Sequence, residues 1–312
     1  MRFESWSPRV AVSVGAGIGM VIGALAVSVS DPIGSTVVQP QTSVYRAPRA
    51  AHAVRLDESA DEVRLSICAR RYEGPRLPTV WVAGVIHLAE PGFYAWVDTL
   101  LAGQQVVLYE GVTGPAPEHS ESPDLGDFAE ALGLVEQSGI DTDRAGWRNS
   151  DMSVGELESA LIAAGAAPTY VDELLHEVGD GYGAAVEALA KVEHRFVAHA
   201  RHALMTTLAI PPATSDDEAA RLYQEVLIEA RDAVVMEHLA EAAEEPGIDS
   251  VGVLYGVAHV DDLDRRLTAE GWHWSGEACE TAMRVELGEI GLGHVQLRQV
   301  RERILGARLR NP

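Results

Sequence analysis

The chain has 312 residues, 47 of them acidic and 24 basic, for a formal charge of −23, and 47% of its residues are apolar. That length and apolar content allow a substantial core and exclude wholesale disorder or a low-complexity chain. The acidic balance argues against a nucleic-acid partner, which needs a concentrated basic face, and two cysteines are too few for a disulfide-rich scaffold or a four-cysteine metal site.

In chain order, the first feature is Val10 to Val29, an uncharged run preceded by Arg2 and Arg9 and followed by Asp31-Pro32. About twenty apolar residues suffice to cross a bilayer, and positive charge on the short leading side keeps that side in the cytoplasm. Residues 1–31 therefore read as an uncleaved membrane anchor or as a signal peptide, with Ala24-Leu25-Ala26 or Ser28-Val29-Ser30 as the small-x-small site. The first alternative gives a single-pass cell-membrane protein with its domain outside the cytoplasm, the second a secreted or periplasmic one. Gly15, Gly19 and Gly23 share one helical face, a spacing compatible with a homodimer. Residues 32–60, mixed in Ser, Thr, Pro, Gln and Arg, read as a linker.

A globular domain is expected over 61–312. Val63–Cys68 alternates like a half-buried strand, and Val80–Ala83 and Val106–Tyr109 are short apolar runs with a helix pattern from Gly92 to Leu101 between them. That order is a βαβ unit, which builds parallel sheets. From 125 to 245 the chain becomes rich in Ala, Leu and Glu, and helices are expected at Leu125–Leu132, Ser153–Ala164, Pro168–Glu177, Gly183–Met205 and Asp216–Glu244. Ser153 with Glu156, and Thr214 with Asp217, have cap-like spacing. Val251–Tyr255 reads as a further strand, Val260–Ala269 as a helix, and His294–Arg310 as a final basic helix. The expected fold is α/β, a mostly parallel central sheet flanked by helices, with a helical insertion at 125–245. Cys68 and Cys279 can form one bridge in an exported chain or remain two thiols.

Three polar residues fall where the best apolar strands end: His87 in Gly84-Val85-Ile86-His87, Glu110 directly after Tyr109, and His259 in Gly256-Val257-Ala258-His259. Ligands of open α/β sheets bind beyond the carboxyl ends of parallel strands, so these residues can meet in one pocket if their strands are neighbours. Each glycine lets the backbone turn sharply or approach another segment closely. Two imidazoles and a carboxylate with open positions suit a divalent metal. Hydrogen-bonded structural histidines are the alternative. His194, His199 and His202 share one expected helix but lack a His-Glu-x-x-His pattern, and read as a solvated polar face. No Gly-x-Ser-x-Gly elbow, phosphate-binding glycine loop or Gly-x-Gly-x-x-Gly occurs, which weakens serine-hydrolase, nucleotide-hydrolase and dinucleotide readings. Residues 77–143 hold eleven Asp or Glu and no Lys or Arg, either an ordinary solvated surface or a field favouring a cation or basic peptide.

Trp81–His87, Val107–Glu110 and Tyr255–His259 together resemble the TraB/PrgY/GumN/TIKI family, whose hallmarks are paired Gly-x-x-His motifs and a Glu after the first βα unit. Leu132–Gln137 with Trp147 and Ser150-Asp151 is similar to its region before the first inserted helix, and Ala230-Arg231-Asp232 with Met236 to its Arg-Asp helix motif. The likeness covers about Val63 to Trp272 and departs where Val85 stands for the usual Thr. It implies an α/β fold related to the erythromycin-esterase and ChaN-like proteins. Its animal TIKI members are membrane-tethered metalloproteases, and other members are linked to pheromone shutdown. The resemblance implies a metal-dependent hydrolase, most simply a peptidase acting on a peptide or protein substrate. His87, His259 and Glu110 would hold Mn, Co or Zn, with Glu110 either a ligand or the general base. Arg231 would stabilise an oxyanion or hold Glu110 by a bidentate pair, and Asp151 would accept from a histidine N–H; a structural ion pair or a helix cap is the other reading of both. A non-catalytic peptide or small-ligand binder is the alternative function.

Overall fold

The computed structural model describes residues 53–114, 125–137, 140–167, 194–209 and 221–287. The segment at 1–31, the expected helix at 168–177, the first part of the helix expected from 183, the Thr214 cap and the tail helix lie outside the described residues. Among the described residues no helix is long and apolar enough to cross a membrane.

The strands are β1 (Val54–Glu58), β2 (Glu62–Glu73), β3 (Thr79–Val85), β4 (Leu88–Ala89), β5 (Val106–Tyr109), β6 (Val135–Glu136), β7 (Trp147–Asn149), β8 (Ser250–Gly256) and β9 (His273–Glu286). The helices are α1 (Pro91–Ala102), α2 (Leu125–Ala131), α3 (Val154–Ala163), α4 (His194–Ala209), α5 (Arg231–Glu244) and α6 (Val260–Ala269). The main sheet runs β1-β2-β3-β8-β5-β7, with β9 on the other side of β2. The centre and one flank, β3-β8-β5-β7, are parallel, and β1, β2 and β9 join antiparallel. β1 occupies positions assigned above to the linker; its burial alternates from residue to residue because one face packs on the domain.

The apolar runs of the central strands follow from burial on both faces. Val80 and Val82 of β3, Val106 and Leu108 of β5, and Val251 and Val253 of β8 point to the face covered by Val235 and Leu239 of α5 and by Leu263 and Leu267 of α6. Ala83, Val85, Val107 and Leu254 point the other way, onto Phe93, Val97 and Leu101 of α1. Pro91 starts α1, where its missing N–H costs nothing. The Ser153–Glu156 capping box forms as its spacing predicts: Glu156 N–H donates to Ser153 Oγ and Ser153 N–H donates to Glu156 Oε2. The helix expected from Asp216 to Glu244 is, where described, two windings, a π-helical stretch at Tyr223–Ala230 and then α5.

Cys68 and Cys279 are joined by a disulfide between register-paired positions of β2 and β9. His202, read above as part of a solvated face, is instead fully buried. Burial, with a smaller push from His199, lowers its pKa to about 4, so it is neutral at pH 7.

The glycine of the first Gly-x-x-His motif serves close approach. Gly84 has no positive φ, and a Cβ there would lie 2.9 Å from Val260 Cγ2, 3.1 Å from Val257 Cγ2 and 3.2 Å from the Val257 backbone. The first motif thus packs directly on the turn of the second. Gly84→Ala should cost about 1–3 kcal/mol by overpacking, read as a lower urea midpoint at unchanged slope; an unchanged midpoint would mean the two turns can separate freely.

Candidate functional site

Four parallel strands deliver polar residues to one edge of the sheet. His87 follows β3, Glu110 follows β5, His259 ends the short turn Val257–His259 after β8, and Asp151 follows β7. The pairings Val85↔Gly256, Tyr109↔Leu254 and Tyr109↔Asn149 show that these carboxyl ends lie side by side. Backbone bonds carry the ladders into the site itself: Glu110 N–H donates to Leu254 O at 2.9 Å and Ser150 N–H to Tyr109 O at 3.1 Å.

α5 supplies the remaining groups. Successive helical residues project about 100° apart, so Arg231 and Asp232 serve different partners. Arg231, 3% exposed, forms its bidentate pair with Asp151: Nε donates to Oδ1 at 2.9 Å and Nη2 to Oδ2 at 2.6 Å. Nη2 also donates to Glu110 Oε1 at 2.6 Å, and Nη1 to Leu227 O at 3.4 Å. The two-pronged contact expected with Glu110 is thus made with Asp151, and the contact with Glu110 is single. Asp151 accepts from Arg231 and from Gly111 N–H and Met152 N–H, not from a histidine. The carboxylate that holds a histidine is Asp232, whose Oδ1 lies 2.7 Å from His259 Nδ1. The donors of Arg231 are turned to these partners, so its position suits holding carboxylates rather than meeting an oxyanion.

The Glu110 carboxyl is pushed up by burial, but the Arg231 guanidinium, His259 and the N–H of Gly256 outweigh this and hold it down at about 2. A group so acidic is a permanently ionised anion at neutral pH and a weak proton acceptor, which favours the ligand role over the general-base role. Burial pushes Asp232 up, partly countered by its bond to His259. Burial lowers His87, against the pull of Glu110, so its imidazole is neutral at pH 7. Tyr255 stacks edge-on against His259 with ring centroids 5.2 Å apart, its hydroxyl donating to Ser150 O at 2.7 Å. Tyr223, on the π-helical stretch, is raised to about 12 by burial and by the charge of Glu110.

Three buried atoms at this edge lack a hydrogen-bond partner: His87 Nδ1, His259 Nε2 and Asp232 Oδ2. His259 Nδ1 is taken by Asp232, and its Nε2, without a partner, lies 3.9 Å from Glu110 Oε1. Glu110 and Asp151 share the Arg231 guanidinium, and Asp232 lies against His259 and feels the charges of Arg266 and Arg231. An imidazole Nε2 without a protein partner beside a carboxylate is a donor set of the kind that divalent ions take. His259 and Glu110 already stand at ligand spacing, while His87 is on the same edge but farther off. Among the described residues the one trio of His, Cys, Asp or Glu donors within 4.8 Å of one another is Cys68, Glu277 and Cys279, whose sulfurs are bonded together.

Asp232 and Asp151 differ in how visible they were. Asp151 follows β7, three residues with no periodicity to mark them. Asp232 was missed as the partner of His259, a role given to Asp151; its place beside Arg231 in the Ala230-Arg231-Asp232 motif was the one signal that could have found it.

The arrangement defines a strand-end polar cluster of an α/β domain, with two histidines, one of them carboxylate-held, and a guanidinium-locked glutamate. Comparisons with known protein families, with curated proteins and with solved structures find no match to this chain.

Proposed function

We propose that this protein is a metal-dependent hydrolase, most simply a peptidase, working outside the cytoplasm. The observation that carries the reading is at the carboxyl edge of the sheet, where His259 Nε2 has no protein partner and lies 3.9 Å from an ionised Glu110. The motif resemblance to a family with metalloprotease members supports the same reading. His259, Glu110 and, after a small approach, His87 would hold Mn, Co or Zn. Such an ion, when bound, activates water and polarises a carbonyl oxygen. The residues of the chain supply the rest. Asp232 fixes the His259 tautomer and ring plane, Arg231 clamps Glu110 and Asp151 together, and Gly256 N–H holds the second oxygen of Glu110. The disulfide between Cys68 and Cys279 supports an exported, oxidising setting, and the membrane reading of residues 1–31 goes with it.

The test is metal analysis of the purified chain together with hydrolysis of a peptide library. About one divalent ion per chain is expected, with cleavage lost to chelator and restored by Mn²⁺, Co²⁺ or Zn²⁺. A folded chain that holds no divalent ion and cleaves nothing would favour the second reading, a binder that captures a peptide in the same pocket.

A further inference from the structure

His259 has a carboxylate to fix its ring, whereas His87 has none. The backbone around His87 is nevertheless pinned on both sides. Tyr94 Oη–H donates to Ile86 O at 2.7 Å, Gln137 N–H donates to His87 O at 3.0 Å, and Leu88 and Ala89 pair with Glu136 and Val135. The two-stranded β4–β6 ribbon therefore ties Gln137 to His87. The Gln137 carboxamide comes close enough to the imidazole to interact with it. Both His87 Nδ1 and Gln137 Oε1 are buried without a hydrogen-bond partner. Two orphaned atoms this costly do not persist side by side when one bond satisfies both. An oxygen acceptor facing a ring nitrogen allows only one direction for that bond, from N–H to oxygen.

We infer that Gln137 is the positioning residue of His87: its Oε1 accepts the Nδ1–H of the imidazole, fixes that tautomer, and leaves the Nε2 lone pair for the pocket. The two histidines then work alike, each with Nδ1 turned to an acceptor of the chain, Asp232 in one case and Gln137 in the other. A carboxylate side chain is a stronger acceptor than a carboxamide, so His87 is the more easily reoriented donor of the two. That accords with His87, Glu110 and His259 not all lying within 4.8 Å of one another. The inference rests on the reading of His87 as a pocket residue, and its test is separable from the test of hydrolysis.

The experiment is ¹⁵N NMR of the histidine side chains in the metal-free, full-length chain at one fixed neutral pH. The His87 ring signals are assigned by their loss in His87→Gln. The wild-type chain should show the Nδ1–H tautomer at His87. Gln137→Leu, which keeps the backbone bond to His87 and removes the acceptor, should turn the ring into a mixture of tautomers, and Gln137→Glu should restore Nδ1–H. Co²⁺ titration should show affinity falling about 10- to 100-fold in Gln137→Leu and returning in Gln137→Glu. An Nε2–H tautomer in the wild-type chain, with the carboxamide turned to donate to Nδ1, overturns the inference. So does a tautomer unchanged in Gln137→Leu. If the tautomers behave as expected while no chain binds Co²⁺, the positioning role stands and the metal-dependent reading fails. If Gln137→Leu does not fold, the Gln137→Glu and wild-type spectra decide: both must show Nδ1–H.

Discussion

Arg231→Met is expected to cost the domain about 3–5 kcal/mol, the usual penalty for breaking a buried ion pair from one side. Methionine fills much of the same volume, so the loss is electrostatic. Asp151, with a fully buried side chain, and Glu110, with a side chain 13% exposed, would be left facing each other and Asp232 with no guanidinium. Arg231→Lys should recover only part, since an ammonium cannot reproduce the fork that spans Asp151 and reaches Glu110. Acid separates this from simple loss of packing. Glu110 is held near 2 in the folded chain against an ordinary 4.5, mainly by Arg231 acting against burial. Its contribution to stability is therefore present above the ordinary value and lost as pH falls from about 4.5 toward 2. In Arg231→Met that acid-side loss should shrink, so the stability gap between wild type and variant narrows on acidification. Urea midpoints across that pH range are the measurement. A gap that stays constant would mean that the guanidinium acts only as a space-filling group.

On the proposed function, His259→Ala is expected to lower peptide hydrolysis roughly 10³-fold. The group that His259 would hold supplies several kcal/mol of transition-state stabilisation, and each 1.4 kcal/mol is a factor of ten. Asp232→Asn keeps the ring and disturbs only its tautomer and orientation, so its cost should be about 10- to 100-fold. His199→Ala, on a helix that contributes nothing to the site, should leave the rate unchanged. Thermal unfolding of each variant separates loss of function from loss of fold. A His259→Ala chain that is folded and still cleaves would remove the histidine from the chemistry.

The parallel heart of the fold was legible because its strands are buried on both faces. Val106-Val107-Leu108 and Val251–Tyr255 are apolar without interruption, as a doubly covered strand must be. The outer strands were not. β7 has three half-buried residues, too few to show a period. β9 begins in the exposed sequence His273-Trp274-Ser275, and its partners come from the far end of the domain. The site divided in the same way. His87, Glu110 and His259 announce themselves by ending apolar runs. The choice of Asp151 for the fork of Arg231, and of Asp232 for His259, depends on how the π-helical stretch sets the rotation of α5, and residue spacing does not encode that.

β8 lies between β3 and β5 in the sheet, yet it begins at Ser250, whereas β5 ends at Tyr109. On the ribosome, β3 and β5 exist long before the strand that joins them. Through that interval they present unpaired edges, the kind of surface that invites wrong pairing and chaperone capture. Insertion of β8 closes both edges and in the same movement carries His259 to Glu110. Assembly of the polar cluster and completion of the fold are thus one late event.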